Sequence, residues 1–147
     1  MVIVGGGYAG IAALTVLSRY ASDIDITIID PQAQHLKVTH LQETFRYPLA
    51  DLLVPFVDLE NRFGCRHIRA AVTLDANNLQ KWQACKYLIV NEEVVTFDYL
   101  LMASGGETKA SGQLENVFSL QDFMTAAGSD LLSKHLVKGD KNEHLIS

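Results

Sequence analysis

Cysteine is scarce in this chain. Its 147 residues include two, Cys65 and Cys85, twenty positions apart and without a C-x-x-C spacing. That excludes a disulfide framework and gives no zinc-site pattern, so reduced thiols packed as small buried hydrophobes are expected. Positive charge is also short: 12 Lys and Arg stand against 17 Asp and Glu, for a net charge of −5. Nucleic acid and anionic lipid attract basic surfaces, so neither is expected as a main partner. No apolar run approaches the roughly 20 residues that span a bilayer. The first residues run straight into glycine, without the basic segment and apolar stretch of a secretory signal, and a cytoplasmic location is expected. There is no internal repeat and no low-complexity tract. What remains is ordinary globular material, 48% hydrophobic and 20% charged, enough to fill one core.

The order of elements is informative. Val2-Ile3-Val4 is an apolar run without alternation, the pattern of a strand buried on both faces of a parallel sheet. It ends in Gly5-Gly6-Gly7. From Tyr8 onward, Ile11, Leu14, Val16, Leu17 and Tyr20 recur at helical spacing, and Ile24 to Asp30 (IDITIID) reads as a second strand stopped by Pro31. Strand, tight turn, helix and strand make a βαβ opening. Pro31 to Pro55 reads as loop with one short helix, and Val57 to Phe63 as a helix ended by Gly64. Cys65 to Asp75 reads as strand, with a change of direction near Ala70. Trp82 to Val90, the turn at Asn91-Glu92-Glu93, and Val94 to Phe97 read as a β-hairpin. Tyr99 to Ala103 is another continuous apolar strand. A helix is expected from Gln121 to Leu136, and His144 to Ser147 reads as a strand that begins and stops.

Gly5-Gly6-Gly7-Tyr8-Ala9-Gly10 satisfies G-x-G-x-x-G, and it stands between a strand and a helix, the context that gives the motif meaning. Gly5 permits the tight turn, Gly7 lets a pyrophosphate approach the backbone, and Gly10 lets the helix pack on the strand. The N–H groups and positive dipole end of the first helical turn, at Tyr8 and Ala9, face the diphosphate. Asp30, twenty residues beyond Gly10 at the end of the second strand, can accept hydrogen bonds from a ribose diol and would repel a 2′-phosphate. The site is that of a dinucleotide. FAD and NAD share its ADP half.

VIVGGGYAGIAAL, IDITIID and FDYLLMASG together resemble the FAD-binding domain of the two-dinucleotide-binding-domain flavoproteins, the pyridine nucleotide-disulfide oxidoreductase superfamily. Within it the likeness is greatest to single-subunit type II NADH dehydrogenases and their sulfide:quinone reductase relatives. The resemblance implies an α/β, Rossmann-like FAD-binding domain with a central parallel sheet, helices, and a three-stranded antiparallel β-meander in place of one crossover helix. It also implies a strand ending in Ala-Thr-Gly near the flavin. Here that triplet is Ala103-Ser104-Gly105, which keeps the hydroxyl. By the same likeness Pro31 lines the adenosine, the backbone near Val72 faces the adenine, and Tyr47-Pro48-Leu49 approaches the flavin ring. The family's second G-x-G-x-x-G is missing, and His144 to Ser147 matches the start of its NAD-binding domain. The chain is therefore expected to be an FAD-binding fragment of a longer enzyme.

In that parent, hydride would pass from NAD(P)H to FAD and electrons on to a quinone or another acceptor. The parent would be cytoplasmic or peripheral on the inner membrane face, and the isolated chain inactive. No side-chain acid, base or nucleophile stands out. Cys65 and Cys85 cannot form the C-x4-C dithiol of the disulfide reductases. His35 and His40 lack the i, i+4 spacing of helical metal ligands and read as surface loop residues; Lys37 and His40 are weaker candidates for contact with the cofactor. Trp82 and Phe97 read as sheet packing. Self-association through an exposed domain interface is a further expectation. Two other readings stay open: a non-catalytic module that binds ADP-containing nucleotides, and an NAD-binding dehydrogenase domain.

Overall fold

A computed structural model describes residues 1–21, 23–37 and 48–106. The chain divides into two compact units, one made of residues 1–35 and 54–106 and the other of residues 36–53 and 107–147. Of the second unit the described part is small: a 3-10 turn at Leu49–Leu52, with Lys37 N–H donating to the Leu52 carbonyl at 3.0 Å. Tyr47, His40, the helix expected over 121–136 and the strand expected at 144–147 lie outside the described residues.

In the first unit the chain runs β1 (Val2–Val4), α1 (Tyr8–Tyr20), β2 (Thr27–Asp30), β3 (Gln34–Leu36), β4 (Leu53–Pro55), α2 (Phe56–Phe63), β5 (Arg66–Arg69), α3 (Ala76–Cys85), β6 (Tyr87–Val90), β7 (Glu93–Thr96) and β8 (Leu100–Met102). The outer residues of β3 and β4 cross the unit boundary. The main sheet has the order β5-β2-β1-β8 and is parallel throughout. Val2, Ile3 and Val4 stand opposite Thr27, Ile28 and Ile29 on one side and Leu100, Leu101 and Met102 on the other. The chain order therefore reverses at β1, and the carboxyl end of β1 is where such sheets bind ligands.

Alternation along the strands explains the two layers. Val2, Val4, Ile29 and Ile68 point to one face, where they pack with Leu88, Val90, Val95 and Phe97 of the hairpin region. Ile3, Ile26 and Ile28 point to the other, against Leu14 of α1 and Phe56 and Leu59 of α2. Both faces of β1 are covered, hence its unbroken apolar sequence.

Local signals fix the ends. Gly64, at φ +64°, closes α2 in the left-handed conformation that glycine adopts most easily. Asp75 caps α3 by accepting the Asn78 N–H at 2.7 Å. Asn91 and Glu92, at φ +51° and +66°, form the two-residue turn of the β6–β7 hairpin, matching the right-handed twist of the strands.

The crossover from β5 to β8 departs from expectation in two respects. The antiparallel hairpin is there, but with two strands instead of three, and Trp82 to Cys85 are helical instead of extended. The Asp75 cap starts a helix that continues to Cys85, and the left-handed Lys86 stops it. The apolar residues of that stretch had suggested a strand; the cap wins over them. Trp82 still packs against the hairpin core, as Phe97 does.

Candidate dinucleotide site

The glycine turn begins where β1 ends. Gly5 has φ +107°, and a Cβ there would stand 2.3 Å from the Ala103 carbonyl oxygen, so its position admits only glycine. That contact comes from β8 extending beyond its last paired residue, with Ala103 N–H donating to the Val4 carbonyl at 2.7 Å. Gly10 is equally constrained: a Cβ would lie 1.9 Å from the Gly5 carbonyl oxygen, which is how closely α1 sits on the turn. Gly7 differs. Among the described residues nothing lies within 4 Å of where its Cβ would be, and Gly7, Tyr8 and Ala9 are exposed. Fold constraints require Gly5 and Gly10, whereas Gly7 leaves open backbone at the helix start. The first intrahelical bond is Ile11 N–H to Gly7 carbonyl, 2.9 Å, so the N–H groups of the preceding turn have no acceptor inside the helix.

Asp30 stands beside this turn. One carboxylate oxygen accepts the Gly6 N–H at 2.7 Å and the other accepts the Gln32 N–H at 2.8 Å. Its own carbonyl accepts from Ala70 N–H at 3.2 Å and lies 3.3 Å from His67 Nε2. These bonds use two of about four lone-pair positions on the carboxylate, leaving acceptors for a diol.

Gly5, Asp30, Pro31, Val72 and Ser104 line one cleft of about 250 Å³ at the carboxyl ends of the strands, together with Val4, Ile29, Gln32, Ala70 and Ala71. Residues chosen from distant parts of the sequence thus meet in one place. Gly105, with φ +72°, follows Ser104 in the chain and is not among the residues that line the cleft. Larger openings exist, one of about 410 Å³ beside α3 and one of about 550 Å³ lined by Met1, Asp25 and Thr27. Neither includes a glycine of the turn, and the second lies at the amino ends of the strands, away from where a doubly wound sheet binds its ligand.

Several neighbours of the turn were not singled out as such from the sequence. His35 is buried, its Nδ1 2.9 Å from the Gly6 carbonyl oxygen, which corrects its reading as a surface loop histidine. Strand β3 carries it inward, where the carbonyl and the Tyr8 ring, 5.0 Å away edge-on, receive it. Phe56 occupies the space beside Gly6, where a Cβ would meet its ring at 2.2 Å, and it stacks on His67 at 4.1 Å. The clue was the middle glycine, at a position the motif leaves unrestricted. The cysteines also differ from expectation. Cys65 is half-buried and Cys85 exposed, because no residue of α3 is buried. Burial, with the nearby Glu60 carboxylate, pushes the Cys65 thiol up from its ordinary range.

Among the described residues no helix is long and apolar enough to cross a membrane. Comparison with solved structures places the fold beside several oxidoreductases. The sulfide:quinone oxidoreductase of Aquifex aeolicus is similar at 24% identity and a TM-score of 0.72, over 96% of this chain and 32% of its own. The NAD-dependent persulfide reductase of A. fulgidus is similar at 18% identity and a TM-score of 0.68, over 94% of this chain and 28% of its own. NDH2 of Plasmodium falciparum, in complex with NADH, is similar at 18% identity and a TM-score of 0.55, over 74% of this chain and 23% of its own. The chain thus spans less than a third of the length of each. Comparison with curated proteins gave no match. The sequence pattern of the pyridine nucleotide-disulphide oxidoreductases matches residues 1–138. Because that match takes in both the glycine turn and the Ala103-Ser104-Gly105 strand end, the chain belongs to the pyridine nucleotide-disulphide oxidoreductase family.

Proposed function

We propose that this chain is the FAD-binding part of a longer NAD(P)H-dependent flavin oxidoreductase, in which hydride passes from a nicotinamide to FAD and electrons go on to a quinone or another acceptor. The carrying observation is the pairing of open backbone at Gly7 with a cleft that Asp30 and Val72 line. The first suits a diphosphate and the second an adenosine. Gly7, Tyr8 and Ala9 would meet the diphosphate, Asp30 the ribose diol, Pro31 and Val72 the adenine side. Ala103, Ser104 and Gly105, of which Ser104 lines the cleft, would stand towards the flavin end. Bound flavin supplies hydride acceptance and electron release; the protein supplies position and electrostatics. The hairpin that follows α3 in the crossover and covers one sheet face favours FAD over a simple NAD domain, where a helix alone usually takes that crossover.

The similar solved structures are oxidoreductases that act on sulfide and quinone, on persulfide, or bind NADH, by their names. They support the class of reaction and leave the acceptor to experiment. The test is to purify the chain and record its visible absorbance, then titrate the colourless fraction with FAD, ADP and NAD. Near-stoichiometric flavin, or FAD uptake tighter than NAD uptake, is the expected result. Uptake of ADP but not FAD would replace this reading with a non-catalytic nucleotide module. NAD uptake without flavin affinity would replace it with an NAD domain.

A further inference from the structure

We infer that His35 is a positioning residue for the dinucleotide site, one that aims the Gly7 N–H by holding the carbonyl of the preceding peptide. The inference rests on the dinucleotide reading given above. A carbonyl oxygen offers only lone pairs, so the 2.9 Å contact between His35 Nδ1 and Gly6 requires the proton on Nδ1. The Gly6–Gly7 peptide is trans and planar, so its C=O and N–H point in opposite directions. Fixing the C=O towards the buried imidazole turns the Gly7 N–H away from it, and Gly7 itself is exposed.

The peptide on the other side of Gly6 is held as well, since its N–H donates to Asp30. Gly6 is buried and has no side chain to lock its conformation. Two side chains reached from distant sequence therefore do what local sequence cannot: they fix both peptide planes of a glycine. The edge-on contact with Tyr8, in the first turn of α1, keeps the imidazole in place. Without the Nδ1–H, the Gly6–Gly7 peptide can rotate, and an anion at the turn must then order it on binding, which weakens affinity.

The test compares the full chain with His35→Phe, which keeps a ring but loses the donor, and His35→Asn, whose side-chain amide restores a donor near the Nδ1 position while leaving a void. ADP and FAD affinity is measured by calorimetry and melting temperature in parallel. The expected result is about a tenfold loss of ADP affinity in His35→Phe, the size of one hydrogen bond. His35→Asn should return to within about threefold of the original chain, about half of that bond, even where it melts lower. Equal ADP affinity in the original chain and a folded His35→Phe would overturn the inference, as would His35→Asn binding no better than His35→Phe. Should His35→Phe fail to fold, nitrogen spectra of the unsubstituted imidazole decide: a ring protonated on Nδ1 is expected, and one protonated only on Nε2 would overturn it. Failure of the original chain to bind either ADP or FAD would instead refute the dinucleotide reading, and the inference with it.

Discussion

Asp30 accepts the backbone N–H of Gly6 at 2.7 Å, a bond that joins the end of β2 to the turn after β1. The residue that reads as a ribose ligand is thus also a structural acceptor. Replacing it with alanine strands a part-buried N–H at a cost of about 1–3 kcal/mol. A loss of that size should lower the melting temperature by several degrees. ADP affinity should fall with it, and calorimetric titration at a temperature where the variant is still folded separates the two effects.

Two glycines of the same motif should respond in opposite ways. Gly10→Ala drives a methyl to 1.9 Å from the Gly5 carbonyl oxygen, so α1 must shift and stability should drop by about 1–3 kcal/mol. Gly7→Val meets no protein atom near its Cβ. Its fold should persist, with a melting temperature near that of the original, while the diphosphate loses its approach and FAD uptake disappears. Unchanged FAD binding in Gly7→Val would place the cofactor elsewhere.

Phe56 is 1% exposed, stacked on His67 and set against Gly6. Truncation to alanine removes a large buried ring, and unfolding in denaturant should show a loss of about 3–5 kcal/mol. The midpoint should move without a comparable change in slope.

Arg66 and Glu93 join β5 to β7 through two bonds of 2.6 Å. The guanidinium holds the Glu93 carboxyl below its usual range. Its contribution is therefore present above the unfolded carboxylate value and is lost as pH falls through the lower folded one. The pair is exposed, so the effect is small and screened by salt. Glu93→Gln should melt slightly below the original chain at neutral pH and low salt, and the difference should vanish on acidification.

The two thiols should label at different rates. Cys85 is exposed, whereas burial and Glu60 raise the Cys65 thiol and reduce its thiolate. With limiting iodoacetamide at neutral pH, mass spectrometry should find the first label on Cys85.

Where a short stretch of chain carries the whole physical reason, the sequence was enough. The apolar run Val2–Val4, the helix opening at Tyr8, the stop at Gly64 and the turn at Asn91 all depend on neighbours a few residues away. Propensity misled at Trp82 to Cys85, where apolar residues suited a strand, but the cap at Asp75, seven residues upstream, made a helix. The glycine spacing and Asp30 suggested the dinucleotide site proposed above, although Asp30 meets the turn only through the fold.

The tertiary structure alone decided how that site is held. His35, Phe56 and His67 surround Gly6 and Asp30 only because β3, α2 and β5 bring them there, and no spacing along the chain encodes those distances. It also separated the roles within the motif, closing Gly5 and Gly10 against backbone and leaving Gly7 open. The physical reason is that a conformational preference acts through adjacent bonds, whereas a hydrogen bond or a steric contact depends on which atoms the fold places within a few ångströms.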